Sequence, residues 1–305
     1  MREKLEYYKM LNTELCGVKL QNPTILASGI LGTSVELLKK AVVMGAGAVT
    51  TKSIGPVERP GHDNPTVVEI ENGLYNAVGL PTPGYLNMQD EYKQWKDINA
   101  PLIVSVYGSS VEDYVKIVKH IQRFKHSIVE LNISCPNKDD GMVFGKDSEL
   151  TKKLVKSVKR VSKMPVMPKL TPNCDNIEEI ATACEKAGAD AICAINTIQK
   201  DILHPELQVP LLAFGKGGIS GPIIRKAALE NVRRIAMNVS IPVVGVGGIT
   251  YGEDAINMLK AGATAVGIGS GVYYRGIDIF SKICHEMQHI MEKRSIKSIA
   301  ELKNA

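Results

Sequence analysis

The sequence predicts a (β/α)8 TIM barrel, on three observations. First, an amphipathic run followed by Gly-Ala and then a β-rich apolar run recurs along the chain. Met44-Gly45-Ala46-Gly47-Ala48 leads into Val49–Lys52, Lys186-Ala187-Gly188-Ala189-Asp190 into Ala191–Asn196, and Lys260-Ala261-Gly262-Ala263-Thr264 into Ala265–Gly269. A repeated helix-then-strand unit is the mark of parallel βαβ architecture, with the glycine as the left-handed residue that closes each helix. Second, eight apolar runs read as strands, at about 23–29, 47–53, 101–107, 128–134, 165–171, 191–197, 241–247 and 265–270. The segments between them carry helical spacing, as in Val111–Phe124, Ser148–Val161 and Asn176–Ala187. Third, two connections, about 54–88 and 199–219, are too long for plain strand-to-helix loops. In a barrel both rise from the C-terminal face, where active sites sit, and loops of this length are usually functional. A doubly wound open sheet is the alternative. It wants a glycine-rich turn directly after the first strand, and Ser28-Gly29-Ile30-Leu31-Gly32 is a poor version of G-x-G-x-x-G.

The bulk properties fit one domain spanning residues 1–305 with no evident linker. A net charge of +5, from 37 basic and 32 acidic residues spread along the chain, leaves no nucleic-acid footprint. No apolar run approaches the roughly 18 residues needed to span a membrane. The N-terminus is too polar for a secretory signal, so a cytoplasmic location is expected. The six cysteines, at 16, 135, 174, 184, 193 and 284, form no C-x-x-C pair and no disulfide framework.

Taken in order, the strand ends carry a run of polar and small residues. The first offers Ala27-Ser28-Gly29, the second Lys52-Ser53, the third Ser105. The fourth runs through Leu131 into Asn132-Ile133-Ser134-Cys135-Pro136-Asn137, where Pro136 has no N–H and ends the strand. There two carboxamides flank one thiol, which becomes a base or nucleophile once deprotonated. The fifth ends at Lys169, the sixth at Asn196-Thr197, the seventh at Gly247-Gly248 and the eighth at Gly269-Ser270. The first long connection adds Asn76-Ala77-Val78-Gly79-Leu80.

Glycines after the last two strands let backbone N–H groups approach an anion closely, and a phosphate between strands seven and eight is a common barrel arrangement. Lysines are seldom buried without a partner, so Lys52 and Lys169 at two strand ends point toward a cofactor or an anionic substrate. His285-Glu286-Met287-Gln288-His289 matches H-E-x-x-H, a zinc-hydrolase pattern. It lies on the final helix, outside the barrel, with no good third ligand in the sequence after it, so no metal is assigned.

These residues in this order resemble dihydroorotate dehydrogenase, over about residues 14–282. The resemblance rests on Thr51-Lys52-Ser53, Asn76–Leu80, Asn132–Asn137, Lys169, Asn196-Thr197, Gly217-Gly218-Ile219-Ser220-Gly221, Gly247-Gly248 and Gly269-Ser270. It implies a barrel that binds FMN, lined by Ser28, Lys52, Ser53, Ser105, Asn132, Lys169, Ile195, Gly221, Gly247, Gly248, Gly269 and Ser270. It implies that Lys52, Asn76, Ala77, Val78, Gly79, Leu80, Asn132, Asn137, Asn196 and Thr197 hold the substrate, and that Cys135 is the base. A cysteine there resembles the soluble class 1 enzymes, and Lys138–Gly145 looks more like the NAD-linked subclass than the fumarate-linked one. Ser105 stands where relatives often have Asn.

The implied chemistry suits the residues. Oxidation of dihydroorotate to orotate, a step of pyrimidine biosynthesis, removes a proton from C5 and a hydride from C6. FMN takes the hydride, so the protein needs one base on the opposite face, and a thiol of pKa ~8.5 serves if its loop favours the thiolate. No iron–sulfur cysteine set and no G-x-G-x-x-G occurs in the chain. An FAD/iron-sulfur electron-transfer subunit is therefore an expected partner; the resemblance also implies the small-molecule substrate and a second copy in a homodimer, with no nucleic acid or membrane. Three other readings compete. A dihydrouracil-type dihydropyrimidine dehydrogenase would tend to carry His at the position of Asn137. A tRNA-reducing flavin barrel would want a basic extension, and a non-catalytic phosphate-binding barrel would have no need of Cys135.

Overall fold

The computed structural model describes residues 9–134 and 143–304. Among the described residues fourteen strands, β1 to β14, follow in chain order. β1 (Thr13–Leu15) and β2 (Val18–Leu20) form an antiparallel hairpin. β3 (Thr24–Leu26), β4 (Ala48–Thr50), β7 (Leu102–Val106), β8 (Ile128–Asn132), β9 (Val166–Leu170), β10 (Ile192–Ala194), β13 (Val243–Val246) and β14 (Ala265–Ile268) close into a barrel in chain order. Each of the eight predicted strands is present, six trimmed at both ends and two, β8 and β14, only at the C-terminal end, and all neighbouring barrel pairs are parallel.

The local causes follow the predicted pattern. The helices Val35–Val43, Val111–Ile121, Ser148–Lys159 and Ile177–Lys186 each begin beside a side chain that accepts an N-terminal N–H: Ser34, Ser110, Asp147 and Asn176. Ser110 and Asp113 complete a reciprocal capping box. Gly45, Gly188 and Gly262 all adopt positive φ, at 101°, 92° and 111°, and turn the chain from helix into the next strand.

The barrel interior is apolar at its base. Ile25, Ala48, Ile103, Ile128, Met167 and Val244 form one buried cluster with Leu15 and Leu20 of the hairpin, which plugs the N-terminal mouth. A second, larger core lies between the barrel and its helices. Among the described residues no helix is long and apolar enough to cross a membrane.

The two long connections are not loops throughout. The first contains β5 (Val67–Ile70) and β6 (Gly73–Asn76), the second β11 (Ile198–Lys200) and β12 (Gly217–Ser220). They join as one antiparallel sheet in the order β11-β12-β6-β5, with Gly218 opposite Asn76 and Ile219 opposite Tyr75. Tyr75 is fully buried, and its hydroxyl donates to the Lys200 carbonyl at 2.9 Å.

Candidate active site

A cavity of about 340 Å³ opens at the C-terminal ends of the barrel strands, beneath the four-stranded sheet. Ala27, Ser28 and Gly29 line it after β3, and Lys52 and Ser53 after β4. Glu130 and Asn132 enter from β8, Lys169 from β9, and Ile195, Asn196 and Thr197 follow β10. Gly247 and Gly248 follow β13, and Gly269 and Ser270 follow β14. The overlying insertions contribute Val67, Leu74, Asn76, Val78–Leu80, Ser220 and Gly221.

Hydrogen bonds hold the neutral polar groups in place. Ser53 Oγ meets Ser105 Oγ at 2.9 Å and accepts from Asn132 Nδ2 at 3.4 Å. Asn196 Nδ2 reaches Ser134 Oγ at 3.0 Å and Asn132 Oδ1 at 3.4 Å, and Asn196 Oδ1 accepts the Thr197 N–H at 2.8 Å. Behind them, Tyr114 donates to the Asn132 carbonyl at 2.7 Å. Asn76 Nδ2 donates to the Gly218 carbonyl at 3.1 Å and so is fixed by the pairing of the two insertions. The result is a row of carboxamides and hydroxyls with set orientations, able to pair with the N–H and C=O edges of a planar heterocycle.

Two cations share the cavity. Lys169 is only 7% exposed. Burial, and then the charge of Lys169, hold the Lys52 ammonium below the usual lysine range. Like charges brought together in a partly buried space favour a ligand that carries or gains negative charge there.

The far end of the cavity is built of main chain. Gly247 and Gly248 sit at φ 139° and 71°. A Cβ on Gly248 would come within 2.8 Å of Arg225 Cβ and 2.9 Å of the Gly221 carbonyl oxygen, so no side chain fits. Arg225 Nε donates to the Gly248 carbonyl at 2.9 Å, its Nη2 to Thr250 Oγ1 at 3.1 Å, and its Nη1 pairs with Asp254 at 2.8 Å. The carbonyl of this turn is thereby committed to Arg225. A Cβ on Gly269 would meet nothing nearer than Ala27 Cβ and Ile30 Cγ1 at 3.8 Å, which leaves its backbone open to the cavity. A phosphate suits such a surface.

A family model described as dihydroorotate dehydrogenase matches residues 10–291. This chain is 44% identical to the dihydroorotate dehydrogenase B (NAD(+)) catalytic subunit of Methanocaldococcus jannaschii over 292 residues, 94% of this chain and 95% of the relative. It is 41% identical to the protein of the same name from Pyrococcus abyssi over 294 residues, covering 96% and 98% of the two chains. The chain belongs to the dihydroorotate dehydrogenase family. The counterpart from Methanothermobacter thermautotrophicus is 39% identical over 296 residues.

Among the described residues, most of those expected at a dihydroorotate dehydrogenase site lie around this cavity, and Ser105 and Ala77 do not. Ser105 does not line it: the side chain is fully buried and hydrogen-bonds Ser53 from behind, because register sets it opposite Glu130, two residues below Asn132. Ala77 does not line it either; its N–H and carbonyl are taken by Thr66 and His62. Cys135 and Asn137 lie outside the described residues. The H-E-x-x-H segment falls on the helix Ile279–Lys293, with His285 and His289 exposed. Its Glu286 accepts from the Gly252 N–H at 2.6 Å and from Arg275 at 2.7 Å, which ties two outer helices and a turn together. Among the described residues no group of three or more His, Cys, Asp or Glu is placed to hold a metal.

Sequence reasoning missed Glu130, Ser220 and the apolar lining from Ile30, Leu74 and Ile249. Glu130 had a readable signal. It is the one charged residue in Ile128–Asn132 and stands two positions before Asn132, hence on the same face of the strand.

Proposed function

We propose that this chain oxidises dihydroorotate to orotate with a bound FMN. The observation that supports this best is the union, in one cavity of a dihydroorotate dehydrogenase family member, of a glycine-built anion end, two lysines and a fixed row of carboxamides. Gly247, Gly248, Gly269 and Ser270 would hold the phosphate, and Lys52, Ser53, Asn132 and Lys169 the ring. Bound there, the flavin supplies an acceptor for the C6 hydride. Asn76, Asn132 and Asn196 orient the pyrimidine by its amide edges, and Lys52 faces the substrate carboxylate. Cys135 would take the C5 proton, the thiolate becoming a thiol. Its neighbour Ser134 accepts a hydrogen bond from Asn196, which lines the cavity.

The named relatives are catalytic subunits of an NAD(+)-linked enzyme. By analogy, electrons leave this chain through a companion subunit that carries FAD and an iron–sulfur centre, and the chain itself pairs as a homodimer. Purified protein should be yellow, release FMN on acid treatment, and bleach when mixed anaerobically with dihydroorotate. A colourless protein that FMN cannot reconstitute overturns the proposal. Bleaching by dihydrouracil but not by dihydroorotate would move the substrate to the dihydropyrimidine class.

A further inference from the structure

Beneath Lys169 the cavity floor holds a carboxylate that the chemistry above does not use. Glu130 is 2% exposed, and its Oε1 has no hydrogen-bond partner. It lines the large cavity and also a pocket of about 10 Å³ directly below, shared with Thr50, Met167, Lys169 and Cys193. Register brings these side chains together. Glu130 pairs with Met167, two residues before Lys169, and Lys169 pairs with Cys193 on the next strand. Burial first, then the charge of Glu130, hold the Cys193 thiol protonated well above the ordinary range. Among the described residues no ion pair within 4 Å neutralises Glu130.

A buried carboxylate with an unsatisfied oxygen is unfavourable unless neighbouring charge offsets it. The chain keeps one nevertheless, in the same interior as the two lysines, where apolar residues would fill the base of the barrel at no such cost. We propose that Glu130 is a charge-balancing and positioning residue of the flavin site: its carboxylate offsets part of the positive charge of Lys52 and Lys169 and so sets how readily the bound flavin takes up electrons. This rests on the flavin reading above. A reduced flavin carries more negative charge than an oxidised one. Lysines alone would draw electrons onto it strongly, whereas a carboxylate below them keeps it able to pass those electrons on.

The test is the flavin midpoint potential of the FMN-loaded protein, read by anaerobic dye equilibration. Glu130→Gln keeps the shape and removes the charge. It should shift the reduction equilibrium toward reduced flavin by roughly tenfold, the influence of one charge at ~10 Å and an effective dielectric of about 20. That is about 30 mV upward for a two-electron couple. Glu130→Asp keeps the charge and should stay near wild type. A flavin-loaded Glu130→Gln protein with an unchanged potential overturns the inference, and so does a Glu130→Asp shift as large as that of Glu130→Gln, which would mark a packing effect. If Glu130→Gln does not fold, the charge-matched double variant replaces it. Lys169→Gln should lower the potential and Glu130→Gln/Lys169→Gln should restore it toward wild type; a double variant as low as Lys169→Gln overturns the inference. Wild-type protein that takes up no flavin at all removes the flavin reading and this inference with it.

Discussion

At the N-terminal mouth of the barrel a two-stranded hairpin presses Leu15 and Leu20 into the interior. At the C-terminal mouth a four-stranded sheet stands off from the strand ends and leaves about 340 Å³ beneath it. Both covers are antiparallel, and both lie over the same eight strands. They differ in what the strands offer them. The lower ends present small and branched apolar side chains such as Ile25, Ala48, Ile103 and Val244, which pack into one buried cluster, while the upper ends present lysines, carboxamides, hydroxyls and glycines to a cavity. One mouth is therefore closed mainly by apolar packing, and the other keeps its polar groups around an open cavity. The division of labour between stability below and chemistry above is general to this architecture. Here it separates mutational effects on folding from effects on turnover.

The sharpest break in that comparison should come from Cys135. Removing a general base typically costs roughly 10²–10⁴-fold. Cys135→Ala and Cys135→Ser should remain yellow and fold normally, yet reduce their flavin with dihydroorotate more slowly by a factor in that range. Stopped-flow bleaching under anaerobic conditions isolates this half-reaction from the electron acceptor. Wild-type bleaching should quicken as pH rises and the thiolate forms; variants that bleach at the wild-type rate would take Cys135 out of the mechanism.

Leu15→Ala tests the opposite mouth. Truncating a fully buried leucine costs about 2–5 kcal/mol. Denaturant unfolding should report that loss while kcat at low temperature stays near wild type. A large fall in kcat in folded Leu15→Ala protein would show that the two mouths are coupled.

Gly248→Ala comes next and acts on binding. The added methyl would have to displace Arg225 or the Gly221 backbone at a φ of 71°. Strain of this kind costs of order 1–3 kcal/mol, so FMN affinity measured by fluorescence titration should weaken by about tenfold or more, with little change in the Lys52–Asn132 end. Unaltered FMN affinity would place the phosphate elsewhere.

How much of this could be read from the sequence differs between the two mouths. The barrel strands were legible because runs such as Ile128–Asn132 and Val166–Leu170 are buried on both faces and read as continuous apolar segments. Gly45, Gly188 and Gly262 marked the helix ends. The overlying sheet was not legible. Gly217–Ser220 and Ile198–Lys200 are short and do not alternate, and the Asn76–Gly218 bond joins residues 142 apart, so nothing local announces the pairing. In the site, Lys52, Asn132 and Lys169 stood out as polar ends of apolar strands. Ser105 belongs to the same class by position, but which residue sits in front of it depends on stagger between strands, and Ser53 takes that place. Glu130 shares a strand face with Asn132, two positions on, but a single charge in an apolar run does not by itself show that this face turns inward.

The smallest expected effect concerns Lys52 and sharpens the comparison from the polar side. Its folded-state pKa is lowered, chiefly by burial and then by Lys169. A lysine that binds its proton less tightly when folded makes the unfolded chain the better proton acceptor. Below the lowered pKa the ammonium is charged in both states, and its burial destabilises the flavin-free protein. As pH rises from the folded pKa toward the ordinary lysine value, the unfolded state holds more protons and stability increases. Lys52→Met removes this cost. Flavin-free Lys52→Met protein should therefore melt slightly above wild type at neutral pH, by less than the Leu15→Ala decrement, and the gap should close as pH approaches the usual lysine range. Bound flavin should reverse the order, because the ammonium then has a partner to lose. A Lys52→Met protein that melts below wild type without flavin would mean that Lys52 is stabilising in the empty cavity, contrary to the cost assigned to the polar mouth.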